Sequence, residues 1–338
     1  MNPEHLNLLR SPKTNKELSC EKAQIVGGRI KSGVLTDHCG NSYPIVDFIP
    51  RFVASDTYCL SFSLEWNQHP EILFGSFSNL FAYRERFTRE TKWGRNLRGQ
   101  LVLEAGCGCG AFTQYALETG ALVVSFDASK GVEQNYRLNG QRENILIIQA
   151  SIYEMPLPNY SFDKVFCFGV LQHTPNPKDA FLQLVLKLKP GGHIASDIYA
   201  LTPKKSPLTG LLKTKYFLRR FTAGRNPQKL HKWISKYVKT VWPLRSIIQK
   251  IPTVGIAFNR RLLLDNYLER LMGMHEHMYQ EFAILDIYDM LATTHDFPQS
   301  LDEFKRWHHL AKLENIDVHY GYNGIEGRGS VPILHNFQ

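Results

Sequence analysis

The sequence predicts an α/β protein built on a doubly wound, Rossmann-like sheet, with a small β-rich domain ahead of it and a helical insertion within it. Three observations lead there. Between Gln100 and Ala200, five apolar runs (LVLEAG, ALVVSFD, NILIIQA, FDKVFCFGV and HIASDIY) are rich in Val, Ile, Leu and Phe and do not alternate with polar residues. Strands buried on both faces require that pattern. The pieces between them, AFTQYALET, SKGVEQNYRLNG and PKDAFLQLVLKLK, have helical periodicity, and repeated strand–helix alternation selects a doubly wound sheet. Finally, the first of these strands runs directly into Gly106-x-Gly108-x-Gly110 and then a helix.

In chain order, residues 1–55 form the β-rich domain: IVGGRIKSGVLT reads as a hairpin with a glycine turn, and NSYPIVDFIPRFV as a proline-punctuated strand. Residues 56–96 mix aromatic and charged side chains irregularly, as a helical linker or cap would. The sheet core occupies 97–200. Residues 201–300 are helical and basic, interrupted by Pro203, Pro207, Pro227, Pro243 and Pro252. The last stretch, 301–338, supplies one more helix and two strands joined by a glycine-containing turn.

Composition narrows the class. Of 338 residues, 43% are hydrophobic and 21% charged, which fits a globular chain of about two domains. Apolar stretches such as VFCFGVL at 165–171 fall far short of a membrane span of roughly 18 residues. The first residues carry no apolar secretory segment, and six scattered cysteines make no disulfide framework. A cytoplasmic protein is expected. The net charge of +9 is uneven: residues 198–264 hold fifteen Lys or Arg and no Asp or Glu, and the rest of the chain sums to −6. That asymmetry points to an anionic partner.

The glycine loop is the sharpest local signal. Glycines let a backbone approach a ligand closely, and free N–H groups at a helix start favour a negative group. Asp127, seventeen residues beyond Gly110, is placed to accept bonds from ribose hydroxyls. These features alone admit both NAD and S-adenosylmethionine (SAM). Glu104, two residues before the first glycine, suits the ammonium end of an amino-acid moiety.

With EAGCGCG, Asp127, MPLPNYSFD, GVLQHTPNP and LKPGG in this order, the chain resembles the class I SAM-dependent methyltransferases, specifically the group related to the ubiquinone and menaquinone C-methyltransferases. The resemblance is strong over 97–200 and weaker towards the ends, in FSLEWN, RFTRETKW and HDFPQSLDEFKRWH. It implies a seven-stranded sheet and a SAM cofactor with S-adenosylhomocysteine as product. Glu104, Gly106, Cys107, Gly108 and Gly110 would then cradle the methionine part, Asp127 and Ala128 would meet the ribose, and Ser151 and Ile152 would flank the adenine. Gly169 would lie under the sulfonium and its methyl. Ser151 departs from the family, which commonly has an acidic residue there; its hydroxyl can still accept a bond from the adenine amino group.

The head domain resembles a zinc ribbon through YPIVDFIP at 43–50, but without its metal ligands. Ser11-Pro12-Lys13-Thr14 stands where the first cysteine pair belongs, and Thr36 with Cys39 where the second does. One surviving thiol cannot make a four-ligand site, so no metal is expected. Cys107 and Cys109 are read as small loop residues.

For the chemistry, His173 is the candidate general base, just past the fourth strand. Tyr199, His277, Tyr279 and His295 are candidate substrate residues, and Asp197 is placed like Tyr199. The expected function is methyl transfer from SAM to a small-molecule, anionic acceptor, phosphate- or lipid-linked acceptors included. Oxygen is favoured as the accepting atom and a biosynthetic pathway as the setting. The basic segment would form a lid in which Lys213, Lys215, Arg219 and Arg220 draw the acceptor in. The alternatives are an RNA methyltransferase and a non-catalytic SAM-binding protein; the absence of an N-P-P-Y-type tetrapeptide after strand four counts against the first. The oligomeric state is not legible in the sequence.

Overall fold

The computed structural model describes residues 1–53, 77–201, 214–248, 251, 262–264 and 276–333. Lys213, one of the cations named above, lies outside the described residues. The chain divides into two compact units, one comprising residues 1–57, 83–201 and 295–338, the other 58–82 and 202–294. Residues 83–96, grouped above with a helical cap, belong with the sheet: Phe87 and Leu97 are buried beside Val102 and Val123.

The head is a four-stranded antiparallel sheet, β1 (Ser19–Val26), β2 (Arg29–Thr36), β3 (Ser42–Val46) and β4 (Ile49–Pro50), paired in that order. Gly27 and Gly28 both take positive φ in the β1–β2 turn, which a two-residue hairpin needs. One face of this sheet (Ile30, Leu35, Ile45) shares a buried cluster with Ile148 of the large sheet and with Ile152 in the loop after it.

Asp37, just after β2, gathers the loops of this head. Its Oδ2 accepts the hydroxyls of Ser11 and Thr14 at 2.8 and 2.7 Å and the side-chain amide of Asn41 at 2.8 Å. Its Oδ1 accepts the backbone N–H groups of Cys39 and Asn41. Ser11 and Thr14 hold the positions at which a ribbon would place its first cysteine pair, so a carboxylate ties together the two loops that a metal would join. Burial would raise the Asp37 carboxyl, but its hydrogen bonds outweigh burial and hold it well below the usual carboxylate range.

The large sheet contains β5 (Leu101–Ala105), β6 (Leu122–Asp127), β7 (Ile145–Gln149), β8 (Phe162–Cys167), β9 (Leu188–Ile198), β10 (Glu314–Gly321) and β11 (Gly324–Ser330). Their order is β10-β11-β9-β8-β5-β6-β7. Strands β5 to β9 run parallel, and β11 is antiparallel to both β9 and β10. Side chains alternate between the two faces: Leu103, Val124, Leu146 and Val165 enter one buried cluster, Val102, Val123, Ile145 and Phe166 another. The non-alternating apolar runs of the sequence are the signature of this two-sided burial. The helices of the unit are α1 (Phe77–Thr91, from Tyr83 onward), α2 (Thr113–Glu118), α3 (Gly131–Asn139), α4 (Pro177–Val185) and a late helix over Leu301–Leu310.

Where the chain leaves this unit and where it returns, the two segments are stitched side by side. Ala200 and Gln299 form a parallel bridge, Leu201 N–H donates to Gln299, and Gln299 N–H donates to Tyr199.

The second unit contains α5 (Thr214–Thr222), α6 (Pro227–Ile248) and α7 (Glu276–Ala292); the helix at 301–310 is therefore α8. Leu230, Ile234, Val238 and Trp242 of α6 are buried with Ile284, Ile287, Tyr288 and Leu291 of α7. The Arg219 guanidinium donates to the carbonyls of Met290 and Thr293. It neutralises the negative end of α7, as a cation at a helix C-terminus does. Among the described residues, no helix is long and apolar enough to cross a membrane.

Candidate functional site

The strand order reverses at β5: the chain proceeds to β6 and β7 on one side, then crosses to β8 on the other. The ends of β5 and β8 flank this topological switch point, where open α/β sheets place their ligand crevice. The loop after β5 is the glycine loop. Gly106 and Cys107 donate their N–H groups to Phe126 O. Gly106 has φ +76°, and a Cβ on it would lie 2.3 Å from Val170 Cγ2, in the loop after β8. Glycine is thus required twice at this position, for backbone sign and for space. Gly110, at φ +91°, is similarly confined by Asn135. Cys107 and Cys109 are buried, and burial pushes the Cys107 thiol up, away from the reactive thiolate.

Behind the loop lies a polar network. Thr113 and Ser125 hydroxyls both donate to Glu104 Oε2, Asn135 Nδ2 donates to both hydroxyls, and Asn139 Nδ2 donates to Asn135 and to Gly110 O. Glu104 is 2% exposed. Burial raises its carboxyl to about 7 despite the two hydroxyl bonds. Thr113, Asn135 and Asn139 were not singled out from sequence, although two asparagines one helical turn apart on an otherwise amphipathic α3 were the available signal.

Asp127, half-buried at the end of β6, accepts Gly108 N–H at 2.9 Å on one oxygen and Ser129 N–H at 2.7 Å on the other. Its carboxylate is therefore fixed against the glycine loop while keeping lone pairs for a further donor. Gln149 binds the Ala128 carbonyl. Ser151 is half-buried and its Oγ accepts Tyr153 N–H, while Ile152 is buried in the core cluster.

The opposite wall comes from β8 and β9. Gly169, at φ +74°, donates its N–H to Asp197 Oδ1, and a Cβ there would meet only Asn323 Nδ2 at 3.8 Å. Asp197 is wholly buried at the end of β9 and paired with Arg86 of α1. The Arg86 guanidinium also bonds Glu90 and lies over the rings of Phe112 and Tyr322 at 5.1 and 5.4 Å. Of the two carboxyls, Asp197 has more donors and holds the charge; Glu90, raised to about 8 by burial and then by Asp197, holds the proton. Arg86 and Asp197 are 111 residues apart, and nothing local in the sequence couples them.

His173 ends a short 3₁₀ turn after β8. Its Nδ1 is 3.1 Å from the His295 carbonyl, and its ring meets that of Tyr199 edge-on at 5.4 Å. Three residues named from sequence, His173, Tyr199 and His295, are thus brought together. A hydrogen on Nδ1 for that carbonyl puts the lone pair on Nε2, the tautomer a proton acceptor needs. Beside it, Gln172 is fully buried and leaves both side-chain amide atoms without a partner among the described residues. Tyr279 packs in the core of the second unit. His277 also lies there, on α7, and its side chain is outside the described residues. Neither is placed relative to the crevice.

Residues 103–196 match a family of methyltransferase domains. The chain is 29% identical over 147 residues to the ubiquinone biosynthesis O-methyltransferase of Alkalilimnicola ehrlichii, an alignment covering 40% of this chain and 59% of that protein. To the protein of the same name from Acinetobacter baumannii it is 29% identical over 173 residues, covering 50% and 70% respectively. Among solved structures, human N-acetylserotonin methyltransferase in complex with SAM aligns with a TM-score of 0.44 and 13% identity, over 82% of this chain and 63% of that one.

Proposed function

We propose that this chain, a class I SAM-dependent methyltransferase by its sheet and its 103–196 domain, moves the methyl group of SAM to a hydroxyl oxygen of a small-molecule acceptor. The observation that carries this reading is the pairing of two features across the switch point. Asp127 is anchored to Gly108 with lone pairs to spare, and Gly169, past the end of β8, leaves room for a Cβ, whose nearest neighbour would be Asn323 Nδ2 at 3.8 Å. A cradle that excludes side chains on one wall and offers a carboxylate on the other fits the sulfonium and ribose ends of SAM. The orphaned amide of Gln172 is a further sign that a polar group completes this region.

Bound SAM supplies a methyl group already activated on a sulfonium. The chain's own residues then have three tasks. Gly106, Gly108 and Gly110 keep the backbone low enough for close approach, and Glu104 holds the loop from behind. Asp127 would accept the ribose hydroxyls, and Ser151 and Ile152 would flank the base. His173 would take the acceptor's hydroxyl proton on Nε2 while the acceptor oxygen takes the methyl group that the sulfonium would supply. The relatives named as O-methyltransferases support oxygen as the accepting atom, and the basic character of 198–264 supports an acceptor bearing phosphate or carboxylate, free or lipid-linked.

The test is transfer of labelled methyl from SAM to a panel of phenols, carboxylates and phosphorylated or lipid-linked intermediates. His173→Gln should lower kcat by about a hundredfold or more while leaving SAM affinity unchanged. Label appearing on RNA and on none of the small molecules would replace this reading with the nucleic-acid one.

A further inference from the structure

The helix α6 has a second face that is exposed among the described residues. Its inner face, Leu230, Ile234, Val238 and Trp242, is buried in the core of its own unit. At 100° per residue, Lys229, Lys232, Lys236 and Lys239 fall on the opposite side, all exposed. Trp233 lies beside them at 51% exposure. Further along the same side come Leu244 and Ile247, and just past the helix end Ile251, at 48%, 65% and 50%. An exposed face that is basic in its first half and apolar in its second is costly in water and needs a reason.

We propose that this face seats the protein on the surface of an anionic lipid bilayer. The lysines would lie among the headgroups, Trp233 at the polar–apolar boundary, and Leu244, Ile247 and Ile251 at the acyl margin. Each part of the pattern matches a part of that surface. No Asp or Glu occurs anywhere in 198–264, and among the described ion pairs no carboxylate meets these four lysines. Two other occupants fit less well. RNA would use the cations and stack on Trp233, but three exposed aliphatic side chains give it nothing. A second copy related by a two-fold axis would bring the same lysines face to face. The proposal stands independently of the methyl acceptor, because it rests on α6 alone.

Flotation of the full chain with phosphatidylcholine vesicles, with and without phosphatidylglycerol, tests it. Binding should require the anionic lipid and should weaken strongly between about 0.1 M and about 1 M salt, as the Debye length contracts from about 10 to about 3 Å. Each lysine near such a surface raises partitioning by about fivefold, so Lys229→Gln, Lys232→Gln, Lys236→Gln and Lys239→Gln together should lower it by roughly a hundredfold or more. Ile247→Ser, at an exposed position that cannot disturb the core, should weaken binding by about tenfold with the salt dependence retained. In Trp233→Phe the lipid-induced blue shift of tryptophan emission should vanish. Indifference to phosphatidylglycerol, unchanged binding by Ile247→Ser, or retention of an RNA oligomer with no vesicle binding would each overturn the proposal. Unchanged SAM affinity in every variant separates such a failure from any failure of the methyltransferase reading.

Discussion

Asp37 in the head sheet and Glu104 in the large sheet are both buried carboxyls at strand ends, each behind a loop, and they have been driven in opposite directions. Asp37 collects five described hydrogen bonds and stays ionised well below the usual range. Glu104 collects two, from hydroxyls, and rises to about 7. Burial alone therefore does not decide the charge; the number of donors does. The difference has a functional side. Asp37 is saturated by its own loops and serves as a fastener, whereas Glu104 is poised between charge states near neutrality, behind the glycine loop proposed to hold SAM.

The comparison can be broken most severely at Gly106. Gly106→Ala combines positive φ with a Cβ driven into Val170, and should cost about 3–4 kcal/mol in stability or abolish SAM binding. Thermal melts and calorimetry on this variant, and on Gly106→Ala with Val170→Ala, would separate the steric part from the backbone part. If the single variant binds SAM normally, the close approach of the two loops is not what the glycine serves.

Glu104→Gln sharpens the contrast through pH. With its folded pKa raised from 4.5 to about 7, Glu104 contributes its stability fully below about pH 4.5 and loses it as pH rises through about 7. The stability of Glu104→Gln relative to the parent should therefore grow by about 3 kcal/mol between pH 4.5 and pH 8. Denaturant titrations at several pH values measure it, and a flat difference would place the carboxylate in a more polar setting than the network described.

Asp127→Ala removes a ligand group and two loop hydrogen bonds together. SAM affinity should fall by about 1.5–3 kcal/mol, roughly tenfold or more by calorimetry. Wild-type affinity would sink the ribose assignment.

The smallest and most local effect is expected at Asp37. Asp37→Asn turns one acceptor into a donor facing hydroxyls, and should speed amide exchange at Cys39 and Asn41 with a modest fall in Tm. The depressed pKa gives the matching acid signature: the contribution is present above the ordinary carboxylate value and is lost as pH falls through the folded one. Exchange rates unchanged from wild type, at pH 7 and at pH 3, would mean that the head holds its loops by other contacts.

Much of the sheet was legible because two-sided burial writes itself as unbroken Val, Ile and Leu runs, and because positive φ beside a ligand loop nearly forces glycine. The terminal strands were legible for the same reason as the head hairpin, a glycine turn between matched segments. What could not be read were partnerships between distant residues. Arg86 with Asp197, and Arg219 with the end of α7, depend on packing that local sequence does not encode. The bonds of Arg219 to the end of α7 span more than seventy residues. Asp37 lies between: the loss of the cysteines was plain, but its replacement was visible only as two hydroxyls at the vacated positions and an acid two residues before Cys39. The base candidate His173 was found by position, while the carbonyl that sets its tautomer is 122 residues away.

The stitch at Ala200 and Gln299 bears on how freely the chain can vary. Leu201 and Gln299 are hydrogen-bonded neighbours, so the 202–294 stretch departs and returns at a single point on the sheet. A segment whose ends already touch can be lengthened, shortened or exchanged without altering how the strands pair, since the closure entropy changes only slowly with its length. The strand order of the sheet is thereby insulated from changes of length within 202–294. Grafting a foreign cassette between Leu201 and His295 tests that insulation at the bench.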